Sequence, residues 1–241
     1  MLELKNPIWA ALTSAQAHFS TEAGAAGPAR RYPADVAPFL AVAEEGTPLS
    51  ADDLAGIAGA GSTSGYYVLD VFPALPQGWS LQPLSNVLQM VHDGGPVARP
   101  GMADAGAGAG LPGAIRELAP DDPSMVELTN IAFPGYFRAS TGRMGRYIGI
   151  HDNGKLVSMS GERMDLGKLR EVSAVCTHPD FTGRGYARKL VEFIMHGMQQ
   201  QGVRPFLHVG AANKRAQALY EALGFRPTRE LKHAKLISPS R

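Results

Sequence analysis

The apolar positions of residues 114–241 change period several times, and each change predicts an element. Alternating or continuous apolar runs predict strands at Ala114 to Leu118, Arg146 to His151, Leu156 to Met164, Arg170 to Thr177 and Pro205 to Val209. Helical spacing from Gly185 to Gln201 puts Ala187, Leu190, Val191, Ile194 and Met198 on one face. A second helix is expected from Asn213 to Leu223, stopping at Gly224, the residue type suited to a left-handed helix end. Asp121, Asp122 and Pro123 open a third, through about Phe133, because acids and proline favour a helix start. Asp152-Asn153-Gly154 carries the Asn-Gly step of a tight hairpin. Phe225 to Ile237 supplies the last strands. Antiparallel strands followed by strand, helix, strand, helix predict an α/β fold built around one mixed sheet.

The first 92 residues are less regular. Pro7 to Ser20 has Ile8, Ala11, Leu12, Ala15 and Phe19 at helical spacing. Ser50-Ala51-Asp52-Asp53 resembles a helix cap leading into Leu54 to Ala60. Tyr66 to Phe72 reads as a strand, and Leu81 to Val91 as another. Between the halves, Asp93 to Gly113 is Gly, Ala and Pro with little that can pack, which predicts a flexible linker. The expected organisation is an α/β domain over 1–92, a linker over 93–113 and a second domain over 114–241.

Composition narrows the function. Hydrophobic residues make up 44% and charged residues 19%, as in ordinary globular proteins. With 23 basic and 22 acidic residues the net charge is +1, so no nucleic-acid footprint is expected and any anion site must be local. The single cysteine, Cys176, excludes an intrachain disulfide and fits a reducing compartment. It reads as a small buried hydrophobe, and no metal site is expected. No stretch of about 18 apolar residues exists, and Met1 to Ala11 lacks the charge-then-apolar pattern of a signal peptide. The expected location is cytoplasmic, with no membrane contact.

The chemistry concentrates in Val175 to Leu190, VCTHPDFTGRGYARKL. A strand ends, a turn carries Pro179, and a Gly-rich segment opens a helix. Gly183 and Gly185 permit unusual dihedrals and close backbone approach. The first helical amides lack intrahelical partners and the helix dipole is positive there, which together make an anion site. Arg184 and Arg188 add local charge. The segment lacks the Gly-Lys-Ser/Thr of a P-loop, and Arg188 occupies the last glycine of a GxGxxG pattern. Thr182-Gly183-Arg184-Gly185-Tyr186-Ala187 instead resembles the acetyl-CoA motif of the GNAT superfamily of N-acetyltransferases, Gln/Arg-x-x-Gly-x-Gly/Ala, with Thr182 departing from the first position. Phe206-Leu207-His208-Val209, then Asn213, then Ala218-Leu219-Tyr220-Glu221-Ala222-Leu223-Gly224-Phe225 resemble the family's fifth strand and following helix. The resemblance covers roughly residues 114 to 235.

That resemblance implies the GNAT fold and acetyl-CoA as cofactor. Backbone groups of Val175, Cys176 and Thr177 would grip the pantetheine arm. Thr182, Gly183, Arg184, Gly185, Tyr186 and Ala187 would hold the pyrophosphate, with Arg188 beside them. Asn213 would contact the arm, and Tyr220 would protonate the leaving thiolate as general acid. For the base, Glu171 matches the catalytic glutamate of the histone-acetylating branch and is preferred. His208 falls where acetylators of protein N-termini carry a glutamate, and Glu162 is a third candidate or an amine anchor. The acceptor would be a small-molecule amine or a peptide, and Phe133-Pro134-Gly135-Tyr136-Phe137-Arg138 lies near the family's acceptor loops. The enzyme would act as a monomer or homodimer. The alternative is a non-catalytic acyl-CoA sensor, which shares the loop but needs neither Tyr220 nor a base. The N-terminal half reads as an interaction module or a degenerate second GNAT-like fold, completing the sheet or walling the acceptor site.

Overall fold

Asn153 and Gly154 both take positive φ, 47° and 81°. This is the conformation of a two-residue primed turn, and it joins β6 (Tyr147–Asp152) to β7 (Lys155–Asp165) as an antiparallel pair closed by Asp152 opposite Lys155. The structure, a computed structural model, describes residues 3–22, 27–55, 57, 65–97 and 114–239. The expected linker therefore lies outside the described residues from 98 to 113. Its first residues are docked: Val97 N–H donates to Gln199 Oε1 (3.0 Å), and Gln199 Nε2 donates to the Gly95 carbonyl (2.8 Å).

Before the linker come α1 (Pro7–Leu12), α2 (Ala17–Glu22), β1 (Ala29–Arg31), β2 (Leu40–Val42), β3 (Tyr67–Leu69) and β4 (Ser80–His92). After it come β5 (Ile115–Glu117), α3 (Pro123–Ala132), β6, β7, β8 (Leu169–Thr177), α4 (Tyr186–Gln200), β9 (Arg204–Gly210), α5 (Lys214–Ala222) and β10 (Phe225–Ile237). β1 and β2 pair with each other. The other eight strands form one mixed sheet in the order β3-β10-β4-β9-β8-β7-β6-β5. Among the described strands, only β8 and β9 pair in parallel. β4, from the N-terminal side, lies between β9 and β10, so strands from both sides of 98–113 share one hydrogen-bonded layer.

Helices cover both faces, because adjacent strand residues point opposite ways. Ile148 and Ile150 meet Leu190, Val191, Ile194 and Met198 of α4, whereas Tyr147 meets Met125 and Leu128 of α3. Full burial of each such side chain stabilises by roughly 1.5–3 kcal/mol. Ile8, Leu12, Phe19 and Tyr32 join Met164, Leu169, Phe206 and Leu231 in a further core that fastens the N-terminal segment to the sheet. Among the described residues no helix is long and apolar enough to cross a membrane.

Two local expectations are corrected. The helix expected over Pro7 to Ser20 is broken at residues 13–16, where Thr13 Oγ1 and Ser14 Oγ bond back to the Trp9 and Ala10 carbonyls (2.8 and 2.6 Å). Such hydroxyl back-bonding competes with helix continuation. The break lets Gln16 turn inward, where it is bonded by the Tyr32 hydroxyl and donates to the carbonyls of Met144 and Arg163. At Ser50 the capping contacts with Asp53 form, but residues 51–55 make a turn, and residues 58–60 lie outside the description.

Candidate active site

β8 and β9 stay hydrogen-bonded only at Leu169–Arg204, Arg170–Pro205 and Glu171–Phe206. Beyond Glu171 they part. Ala174 sits in the left-handed region (φ 53°), which is costly for a residue with a side chain, and the β7–β8 register shifts beside it. The parting opens the sheet between Val172–Thr177 and Leu207–Gly210, and two cavities flank the opening.

The first cavity, about 410 Å³, lies against Val175, Cys176, Thr177 and the whole segment from Phe181 to Arg188. Gly183 and Gly185 have φ of 80° and 77°, and a Cβ on either would meet nothing within 4 Å. Glycine is therefore demanded there by the backbone angle, and the space beside it is open. Gly185 caps α4, whose first intrahelical bond runs from Lys189 N–H to the Gly185 carbonyl (3.1 Å), leaving the amides of Tyr186 to Arg188 ahead of it. Arg184, Arg188 and Arg215 line the cavity, and among the described residues no carboxylate does. Arg184 is held over the Phe181 ring (4.7 Å), while Arg188 is paired with Glu192 (2.9 Å). Thr182 is exposed and its hydroxyl bonds the Pro179 carbonyl. An anion-bearing group fits this cradle through backbone amides and arginines.

The second cavity, about 390 Å³, lies on the other side of the opening. Its wall includes Phe39, Leu69, Ser85 and Val87 from the N-terminal half, with Phe133 and Tyr136 from the loop after α3. Arg163, His208 and His233 are among its polar groups, and no carboxylate among the described residues lines it. Val175, Asn213, Ala216 and Tyr220 line both cavities, so the two meet there. Asn213 caps α5, accepting from Ala216 N–H (3.1 Å). Tyr220 is buried, its hydroxyl makes no hydrogen bond among the described residues, and burial with nearby Cys176 raises its pKa. It holds its proton throughout the neutral range. Cys176 is buried, and desolvation pushes its thiol up to about 12, so it is inert.

The three base candidates are placed differently. Glu171, 1% exposed, lines neither cavity. Its carboxylate takes two bonds from Arg163 (2.7 and 2.6 Å) and one from His208 Nδ1 (2.9 Å). Burial acts to raise its pKa, but the Arg163 charge and these hydrogen bonds prevail and hold it at about 2. A carboxylate so held is a weak base. Glu162 is buried away from both cavities and paired with Arg170 (2.9 Å). His208 alone of the three faces a cavity. Gln89 Nε2 donates to the Leu4 carbonyl and lies 3.2 Å from His208 Nε2. That assigns Nε2 as the acceptor nitrogen and puts the ring proton on Nδ1, toward Glu171.

Arg163, Gln89 and His233 did not emerge from the sequence patterns. A signal existed for Arg163, the one cation in the expected strand Leu156 to Met164. Gln89 and His233 enter only through the pairing of β4 with β9 and β10.

Residues 147–233 match the model of the family described as FR47-like protein. The fold is similar to a GNAT-family protein of Novosphingobium aromaticivorans assigned as an acetyltransferase, at 32% identity and TM-score 0.78, covering 99% of each chain. It is also similar to a GCN5-related N-acetyltransferase from Kribbella flavida at 16% identity and TM-score 0.52, covering 96% of each chain, a likeness of fold. No curated protein matches the chain. The chain belongs to the GNAT family and is an acetyltransferase with that family's mixed α/β fold.

Proposed function

We propose that the protein transfers an acetyl group from acetyl-CoA to the primary amine of a small acceptor. The observation that carries this reading is the meeting of two cavities at Tyr220, one lined by arginines and helix-start amides, the other by aromatic rings and histidines. The first cavity takes the cofactor: Gly183 to Arg188 and Arg184 hold its phosphates, while Val175 to Thr177 and Asn213 flank its arm. When bound, acetyl-CoA supplies an acyl thioester, and transfer releases its sulfur as a thiol. The remaining chemistry belongs to the chain.

An alkylamine of pKa about 10.4 is protonated at neutral pH and must lose a proton before it attacks. His208 takes that proton at Nε2, with the long Gln89 contact giving way to the acceptor or to a water on it. Glu171 is a positioning residue. Fixed by Arg163, it holds His208 Nδ1–H and with it the tautomer that leaves Nε2 basic, the logic of a carboxylate-oriented imidazole. Tyr220 donates the proton at the other end of the reaction, where sulfur departs. A non-catalytic acyl-CoA sensor would need neither residue. The single buried, inert thiol suits a cytoplasmic enzyme.

The test is thiol release from acetyl-CoA with a panel of amines, alongside calorimetric CoA binding. Release that depends on the acceptor is expected. CoA binding without release for any amine would favour the sensor. His208→Gln should lower kcat about 100-fold or more with CoA affinity retained; an unchanged kcat and pH profile would remove His208 as the base.

A further inference from the structure

The acceptor chamber has a polarity that follows from one ion pair. Arg163 and Glu171 neutralise each other, but they are not equally hidden: the Arg163 side chain is 17% exposed and that of Glu171 1%. Arg163 lines the chamber and Glu171 does not. Two of the guanidinium nitrogens, Nε and Nη2, are spent on the carboxylate. Nη1 makes no hydrogen bond among the described residues. The buried dipole therefore turns its positive end toward the chamber, and among the described residues no aspartate or glutamate on the wall offsets it. Burial lowers the pKa of His233, so this ring adds no opposing or competing charge at neutral pH.

The rest of the wall is aromatic. Tyr136 stacks on Tyr67 (centroids 4.8 Å apart), and both rings lie beside His233 (5.8 and 5.4 Å). Phe39 lies under the Arg163 guanidinium (4.9 Å), a cation–π contact that helps to hold the cation in place. Phe133 and Val87 complete an apolar surface. At about 390 Å³ the chamber is near the lower end of small-molecule sites, roughly 300–1,000 Å³.

We infer that the acceptor is a free amino acid with a large apolar or aromatic side chain, its carboxylate read by Arg163 and its side chain by the Phe39, Phe133 and Tyr136 wall. This rests on the acetyltransferase reading above for the role of the amine. The chamber admits one cationic group only at the cost of neutralising it, which the base supplies. A second cation would sit beside the Arg163 end of the ion pair with no carboxylate among the described residues of the wall to receive it, so diamines and polyamines are poor acceptors.

The experiment uses the full chain and a matched set of acceptors: phenylalanine, 2-phenylethylamine, alanine and cadaverine. Calorimetric binding in the presence of CoA is measured beside acetyl transfer. Phenylalanine should bind and react better than 2-phenylethylamine by about ten- to a hundred-fold, since the pair differs only in a hydrogen-bonded charge. Alanine should be weaker than phenylalanine, and cadaverine inert. In Arg163→Lys, whose single ammonium can pair with Glu171 but has no second nitrogen to present to the chamber, the preference for phenylalanine over 2-phenylethylamine should fall toward unity. Equal or better use of 2-phenylethylamine or cadaverine, or an undiminished preference in Arg163→Lys, would overturn the inference while leaving the acetyltransferase reading in place. The binding preference without transfer to any acceptor would sustain the chamber and overturn that reading instead.

Discussion

The two cavities that meet at Tyr220 are made in different ways. The cofactor side is written mostly in one short stretch, Val175 to Arg188, with the start of α5 closing it, because a strand end, a glycine turn and a helix start follow one another along the chain. The acceptor side is assembled from β4, β7, β9, the loop after α3 and residues as distant as Phe39 and His233. One is a local motif that works through its backbone. The other is a tertiary product that works through side chains. Damage to the first should weaken cofactor binding and spare the fold. Damage to the second should reach the fold itself.

The sharpest contrast is expected at Arg163. Replacing it by methionine leaves Glu171 charged, buried and without its main partner, which costs about 3–5 kcal/mol of stability. Urea unfolding of Arg163→Met measures this, and a loss below about 1 kcal/mol would mean that the pair does not tie the chamber to the fold. On the cofactor side, Gly185→Glu should raise the Kd for CoA at least about ten-fold by placing a charge of the wrong sign in the cradle. Strain from its positive φ should cost only about 1–2 kcal/mol. Tight CoA retention by that variant would refute the loop assignment.

Acid provides a second view of the same pair. The Glu171 carboxyl is held at about 2 in the fold, while an unfolded glutamate titrates near about 4.3. The unfolded chain therefore takes up the proton first as pH falls. The contribution of Glu171 is complete above about pH 5 and is lost progressively down to about pH 2. In Glu171→Gln that part of the acid dependence should be missing from unfolding midpoints measured across this range. The smallest effect is expected at Thr182→Ala, about two-fold or less in CoA affinity, since this exposed hydroxyl bonds Pro179 and the grip rests on amides.

The same division explains what the sequence made legible. The Asn-Gly hairpin, the glycine-opened α4, the Asn213 cap and the Gly224 stop are local devices, and each appears within a residue or two of its expected place. Where tertiary packing decided the outcome, local pattern misled. The stripe from Ile8 to Phe19 is buried as expected at both ends, yet the helix breaks so that Gln16 can bond Arg163's carbonyl. Glu171 looked available as a base because its strand position alone does not reveal that Arg163, eight residues earlier, lies against it. That pairing depends on the β7–β8 register and its irregularities. The long β4 was visible as an apolar strand, but not its insertion between β9 and β10, which brings Gln89 to His208.

The most direct test is Tyr220→Phe, assayed for thiol release and for CoA binding on the same preparation. The phenol is buried at the junction of both cavities without a hydrogen-bond partner among the described residues, so its removal leaves no other group unsatisfied. The expected result is a fall in kcat of about 100-fold or more, with CoA affinity changed by less than about three-fold. A variant that turns over at the parent rate would contradict the account, since the junction would then hold no acid.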